Sequence, residues 1–415
     1  MKIITKIYRH FANDSLYRNS IYLMLSTAVM AVLGFFFWII CARLFKSDQV
    51  GIATALISVV SLISSFSLLG LNNGIIRYLP TSEWKNQKIN TAFTLVTVAS
   101  VLIAIIYLVF INYLSPKLLF VRENIFLTTS FVLFIVFSSL NNLSESVFIA
   151  YRSANYVLMK NTVSSLVKFT LPIFLISLGA YGIFASVGIS IAVAFVLSLI
   201  FLIVKFGYLF RPTINSEVIK RMTKFSLGNY AAVFMGGLPQ MVLPIIILDN
   251  LGAKFSAYFY MDLMIANLLY IIPMATSQSL FAEGSHEESE LKIHLIKAVK
   301  IISLIMIPAI IITVVFGKYV LLAFGKQYSN EGMVLLQLFA ISGIFISINS
   351  IGSTILNIKH KIKLLILVNF SGAVTILLLS LVFIKYNLYG IGIGWIAGQL
   401  LNSIIFFILY TKNIL

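Results

Sequence analysis

Twelve stretches of predominantly apolar residues, each about 20 residues or longer, recur along this 415-residue chain. A run of that length matches a helix crossing the roughly 30 Å hydrocarbon layer of a bilayer. In that layer every backbone polar group has to be satisfied internally, which leaves helices and closed barrels. The alternating pattern of barrel strands is absent, so the helix is the element. Composition agrees: 60% of residues are hydrophobic and 10% charged, where a soluble domain carries about 25% charged residues. The chain reads as an all-α polytopic membrane protein.

The spans read as Asn19–Ala42, Gly51–Ile76, Asn90–Asn112, Asn124–Ile149, Val157–Leu178, Tyr181–Val204, Phe225–Leu248, Phe255–Ser277, Ile293–Phe316, Met333–Asn357, Leu364–Ile384 and Leu388–Tyr410. Residues 1–18 form a basic amphipathic segment without the apolar core of a signal peptide. Residues 19–204 make a first lobe of six spans, 205–224 a basic linker, and 225–415 a second lobe of six. The net charge of +17 would suggest nucleic acid in a soluble protein. Here the positive residues sit between apolar runs and set topology. Lys160 counts with the short loop between spans four and five. The amino-terminal side of the membrane then carries 21 Lys and Arg and the opposite side 8, with Lys168 inside span five. By the positive-inside rule both termini are cytoplasmic; the expected location is the cell's inner, cytoplasmic membrane.

The halves repeat. The Gly179–Ile183 approach to span six resembles Asn387–Ile391 before span twelve, Arg152 answers Lys359, and Gly51 answers Ala257, all at offsets of 206 to 208 residues. Six spans per half give both halves the same orientation, as in transporters built from parallel repeats around a central cavity.

Polar residues are concentrated on single faces. Span two carries Gly70, Asn73, Gly74 and Arg77, span four Ser138, Asn141, Asn142 and Glu145, and span five Asn161, Ser164, Ser165 and Lys168. Each set follows i, i+3, i+4, i+7, which is one helical stripe. A lysine at depth costs about 2.5 to 3.5 kcal/mol unless paired or hydrated. Lys168 therefore reads as a cavity residue or as one member of a pair with Glu145 or Asp262. Arg77 reads either as a cavity cation or as a helix-end anchor, and Glu145 either as a binding residue or as the partner of Arg152. In the second half, Asp262 is a candidate counter-ion or coupling site. Gly236, Gly237 and Pro239, with Pro244 beyond, are expected to bend or break span seven as a hinge.

No catalytic set emerges. Gly390, Gly392 and Gly394 open a membrane helix with no strand before it, so they are no nucleotide loop. The stretch Glu283–Glu290 with His286 lacks metal-ligand spacing. The lone Cys41 forms no internal disulfide. No cofactor, metal or nucleic-acid partner is expected.

The stretch Ile39–Pro80, with its ARL turn, GIATALIS and LGLNNGIIRYLP, resembles the first hairpin of the Wzx-like oligosaccharide flippases of the multidrug/oligosaccharidyl-lipid/polysaccharide (MOP) exporter superfamily, which includes the MATE transporters. The resemblance implies a MATE-like bundle and points to Arg43, Arg77 and the Gly51 turn. It implies a flippase that carries polyprenyl-diphosphate-linked oligosaccharide units to the outer leaflet for surface polysaccharide, beside glycosyltransferases and a polymerase. Lys168 and Arg77 would attract phosphate, while Asn73, Asn141, Asn142, Asn161 and Ser165 would meet sugar hydroxyls. Span one lacks the carboxylate of drug-exporting relatives. It also lacks the arginine of the lipid II branch, which favours polysaccharide repeat units. A cation-coupled multidrug or small-molecule antiporter is the alternative reading, using Asp262 or Glu145. A membrane glycosyltransferase or polymerase fits poorly with such short outer loops.

Overall fold

The computed structural model describes residues 15–286 and 290–412. Most of the amphipathic segment expected at 1–18, and part of the acidic stretch at 283–290, lie outside the described residues. Thirteen helices organise the rest. They are α1 (Ser15–Leu44), α2 (Ser47–Ser67), α3 (Leu71–Tyr78), α4 (Lys85–Leu114), α5 (Ile125–Ala150), α6 (Ala154–Phe174) and α7 (Ala180–Phe206). The second half continues with α8 (Ser216–Asn250), α9 (Ala253–His286), α10 (Leu291–Leu322), α11 (Lys326–Ile358), α12 (Ile362–Val382) and α13 (Asn387–Thr411). Short single turns at Pro116–Leu118, Phe120–Glu123, Ile176–Leu178 and Ile384–Tyr386 complete the connections, and no strand occurs among the described residues. Eleven helices are long and apolar enough to cross a membrane. The long helix outside that set is α6, whose 21 residues include Lys160, Asn161, Ser164, Ser165 and Lys168.

The chain divides into two compact units. One comprises Met1–Leu44 and Val59–Tyr230, the other Phe45–Ser58 and Ala231–Leu415. In the first unit α1 packs on α6, α6 on α7, and α5 on α3, α4 and α7. In the second, α9 and α10 pack on α11, and α11 and α12 pack on α13. Within that second unit α2 and α9 approach so closely that a Cβ on Gly51 would overlap the Ala253 carbonyl. The Thr54 and Ser256 hydroxyls lie 3.5 Å apart one turn further on.

Backbone detail confirms the internal repeat at an offset of 208. Helices α5 and α11 both end on a residue in the left-handed region, Arg152 and His360, each at φ 54°. The matching amide hydrogen bonds, Ser153 to the Phe148 carbonyl and Lys361 to the Leu356 carbonyl, close both ends. Gly179 (φ 57°, ψ −132°) and Asn387 (φ 54°, ψ −142°) turn the chain into α7 and α13 alike. Arg152 thus answers His360, one residue beyond the Lys359 expected from sequence.

One expectation fails in the second span. It is not a single helix over 51–76. It starts at Ser47, ends at Ser67, and resumes as the eight-residue α3. Leu69 and Gly70 between them have φ 49° and 74°. Glycine accepts that conformation without a Cβ clash. The run Gly-Leu-Asn-Asn-Gly after the last apolar turn has weak helix propensity, so the ladder stops there. Neighbouring helices bond the end of α2: Ser139 Oγ donates to Ser64 O at 3.5 Å, and the Tyr230 hydroxyl donates to Ser65 O, which also accepts from the Leu68 amide at 3.2 Å. The repeat does not share this feature, since α9 runs unbroken through Ala275 and Thr276.

Span seven is not broken. Gly236, Gly237, Pro239 and Pro244 all lie inside the continuous helix α8. Membrane helices tolerate proline inside a helix, and α8 is tied to α9 here, where Ser256 Oγ donates to the Pro244 carbonyl at 3.0 Å. The irregular connection between halves is 207–215, and its start is strapped to α4. Asn90 Oδ1 accepts from the Tyr208 hydroxyl (2.6 Å) and the Arg211 amide (3.1 Å), while Asn90 Nδ2 donates to Leu209 O (2.8 Å). Burial pushes the Tyr208 phenol above its ordinary value, so it stays a donor.

The break gives a direct check. Gly70→Ala forces a Cβ into the left-handed region and is expected to destabilise by about 1–2 kcal/mol. The purified variant should melt several degrees below wild type in detergent. An unchanged melting temperature would mean that the break is not a fixed feature of the fold.

Candidate functional site

Polar side chains of the first unit gather where α1, α5 and α6 meet. Helices α1 and α6 run parallel in a constant register. The Ala154 amide at the start of α6 donates to Asn19 Oδ1 at 2.8 Å, and seven residues later Asn161 Nδ2 donates to Ser26 Oγ at 3.0 Å. Both contacts join residues 135 apart, and two helical turns separate them.

At the level of Asn161 sits the charged centre of the cluster. Lys160 is 0% exposed, and its ammonium lies 3.3 Å from Glu145 Oε2 on α5. It also donates to Asn141 Oδ1 at 2.7 Å and to the Asn141 carbonyl at 3.3 Å. Asn161 Nδ2 reaches the same Glu145 oxygen at 3.5 Å. Glu145 is 34% exposed, so the carboxylate is fixed on one side and open on the other. Its partner is Lys160, in place of the Arg152 or Lys168 expected. Lys160 lies at the start of span five and its charge counts with the preceding loop, yet the helix runs from Ala154 and encloses Lys160 in the bundle. Its spacing was the available signal: Lys160, Ser164 and Lys168 stand at i, i+4, i+8 on one face.

Lys168 lies two turns beyond, about 12 Å further along α6. It is half-buried. Among the described residues no carboxylate lies within 4.0 Å of its ammonium, which sits instead 5.3 Å from the ring centre of Phe37 on α1. Between the two lysines Ser165 is buried, and Ser164 Oγ donates to the Ser190 carbonyl at 2.9 Å. Higher on α5, hydroxyls link helices in series: Ser100 donates to Ser139 at 2.8 Å, and Ser138 to Ser64 at 3.2 Å.

The remaining candidates are dispersed. Asn142 is exposed, turned away from Asn141. Asn73 is half-buried on α3, Gly74 is buried, and Arg77 is exposed with its guanidinium 5.7 Å from the Tyr78 ring. The stripe expected from Gly70 to Arg77 is therefore split by the break and by the packing of Gly74. Gly236 lies against Asn369, whose amide donates to the Ala232 carbonyl at 2.8 Å.

The second unit preserves the amides and not the charges. Asn349 answers Asn141 and bonds Gln399 Oε1 at 2.9 Å and Ser403 Oγ at 2.9 Å. Asn369 answers Asn161. At the positions of Glu145, Lys160 and Lys168 stand Ser353, Val368 and Ile376. The charged residue of that unit is elsewhere. Asp262 on α9 is 0% exposed, and neither carboxyl oxygen has a hydrogen-bond partner. It packs against Gly332 of α11, where a Cβ would come within 2.6 Å of the carboxyl.

A family model described as polysaccharide biosynthesis protein matches residues 40–331. None of the curated proteins matches in sequence. Solved structures match over nearly the whole chain. An inward-facing multidrug resistance MATE transporter of the MOP superfamily is similar with a TM-score of 0.74 at 16% identity, covering 95% of this chain and 98% of that one. The lipid II flippase MurJ in an inward closed conformation gives 0.77 at 14% identity, with 95% and 87% covered. A MOP superfamily transporter from Pyrococcus furiosus, described by a binding pocket of reversed polarity, gives 0.67 at 17% identity, with 96% and 95% covered. The fold is that of the MOP superfamily.

The buried pair carries an asymmetric prediction. Removing one partner of a buried ion pair costs about 3–5 kcal/mol because a charge is left without compensation. Lys160 is enclosed and Glu145 can rehydrate, so Glu145→Ala is expected to lower the melting temperature more than Lys160→Met. The reverse order would contradict the geometry described.

Proposed function

Since the chain belongs to the polysaccharide biosynthesis protein family, we propose that it is a flippase moving polyprenyl-diphosphate-linked oligosaccharide units from the cytoplasmic to the outer leaflet for surface polysaccharide. The observation that carries this reading is Lys168, an ammonium inside an apolar helix bundle with no carboxylate within 4.0 Å among the described residues. An ion at such depth is costly, and a residue that bears the cost without a pair is matched to a mobile anion. A diphosphate supplies that anion. The amides and hydroxyls of α5 and α6 suit sugar hydroxyls, and the open oxygen of Glu145 adds a fixed acceptor. The similarity in fold to a lipid II flippase supports a lipid-linked glycan as the substrate class. In this reading both termini are cytoplasmic, the twelve long helices all span the inner membrane, and glycosyltransferases supply the substrate that a polymerase consumes.

Asp262 supports a second reading, cation-coupled transport. A fully buried carboxyl with no partner is the natural seat of a proton or small cation. That reading covers an antiporter for small molecules, and coupling of the flippase itself.

Two measurements separate these readings. Lys168→Ala and Arg77→Ala are expected to abolish surface glycan with unchanged protein levels on immunoblots; normal glycan in both removes the cationic mechanism. In proteoliposomes, Asp262→Asn is expected to make transport insensitive to an imposed proton or sodium gradient. A gradient response equal to wild type would limit Asp262 to packing.

A further inference from the structure

The connection that follows α7 displays large apolar side chains on a loop that is firmly held. Helix α7 ends at Phe206 and Gly207 turns the chain at φ 61°, with the Tyr208 amide donating to the Leu202 carbonyl at 3.1 Å. Tyr208 takes the inner position: it is 1% exposed and meets Phe93 edge-on, 6.0 Å between ring centres. The Asn90 side chain bonds residues 208, 209 and 211, and Asn86 Nδ2 donates to the Gly207 carbonyl at 3.4 Å. Within this strap Leu209 is 58% and Phe210 64% exposed. An apolar pair fixed outward on a loop needs an apolar medium at that place.

The strap also fixes the height of the pair. Helix α4 has 30 residues, which makes it about 45 Å long. The hydrocarbon layer is about 30 Å thick, so a centred α4 extends about 7 Å beyond it at each end. Asn90 stands five residues after Lys85, the first residue of α4, about 7.5 Å along the axis. The loop it holds is therefore level with the edge of the hydrocarbon.

The charges around the loop are of one sign. Stretches 77–90 and 205–215 contain Arg77, Lys85, Lys88, Lys205 and Arg211 against a single acid, Glu83. Lys85 is placed beside the start of the loop: its ammonium lies 5.6 Å from the Tyr151 ring centre, and Tyr151 stacks on Phe206 at 4.6 Å. Lys205 and Arg211 are exposed on either side of the apolar pair. Trp84, 69% exposed at the entry to α4, is the residue type that collects at membrane–water boundaries. All of these belong to the first unit.

We infer that this loop, with the entry to α4, is a docking surface for the anionic phospholipids of one leaflet. Leu209 and Phe210 sink into the acyl boundary, and Lys85, Lys205 and Arg211 meet headgroup phosphates. Apolar insertion together with basic attraction is the combination that holds a segment on an anionic bilayer. In the orientation proposed above this is the cytoplasmic leaflet. The inference goes beyond the flippase reading and does not depend on the substrate. The occupant is lipid and not a soluble protein, because the apolar pair stands level with the hydrocarbon edge.

The test labels full-length protein with bimane through Thr213→Cys, an exposed loop position. Cys41 is 0% exposed and stays unlabelled. The protein is reconstituted in vesicles of phosphatidylcholine and phosphatidylglycerol, with one or the other brominated near the carbonyl end of its chains. Brominated phosphatidylglycerol is expected to quench the label at least about twofold more than brominated phosphatidylcholine. With Lys85, Lys205 and Arg211 all changed to Gln, the two lipids are expected to quench alike. With Leu209→Ser and Phe210→Ser, quenching by both is expected to fall. Arg211→Gln alone serves where the triple variant is not monodisperse, and is expected to narrow the difference. A label that neither lipid quenches places the loop in water and overturns the docking surface. Equal quenching with the loop otherwise unchanged overturns headgroup recognition, and an undiminished preference in the Gln variants overturns the residues assigned to it.

Discussion

A charge held inside an apolar helix bundle has to be compensated, and α6 carries two lysines that meet this requirement differently. Lys160 is enclosed and draws in three groups: a carboxylate from α5, an amide and a backbone carbonyl. The attraction gained offsets desolvation because nearly every donor has an acceptor. Lys168, about 12 Å along the same helix, lies against the Phe37 ring and near Cys41, and among the described residues it forms no ion pair. The first arrangement holds α5 against α6. The second leaves a cation without a carboxylate partner among the described residues. The fixed register of α1 on α6, held by Asn19 and the Asn161–Ser26 contact, brings Phe37 to the level of Lys168. Both lysines thus depend on the same set of helix contacts.

The internal repeat shows which features are architecture and which are specialisation. The turns at Arg152 and His360, the entries at Gly179 and Asn387, and the amides Asn161 and Asn369 recur. They hold each six-helix unit together. The ion pair, Lys168 and the break at Leu69–Gly70 occur in the first unit alone, and the orphan carboxyl of Asp262 in the second. The duplicated scaffold diverges in its charged residues, with a buried ion pair and Lys168 in the first half and a buried acid in the second.

Much of this was legible in the sequence for physical reasons. Apolar runs long enough to cross a membrane announce helices, and a shared offset announces a repeat. The stripes on spans four and five brought Asn141, Glu145 and Asn161 together as a helical period requires. What escaped reading depended on tertiary detail. Lys160 counts as a loop charge in the sequence, but packing one turn and a half into α6 encloses it and makes it the partner of Glu145. Gly70 and the asparagines after it looked like a polar face, yet they act first as a stop. Gly236, Gly237 and Pro239 read as a hinge, and they lie within one continuous helix, α8, so the chain is not broken there.

The central claim is that the diphosphate of the substrate is met by Lys168 of α6. A polyprenyl diphosphate carrying a diazirine next to its phosphates, photolysed on the reconstituted protein and mapped by mass spectrometry, tests it directly. Adducts concentrated around Phe37 and the residues of α6 near Lys168 are the predicted result. Adducts confined to other helices, with these segments unlabelled, would contradict it.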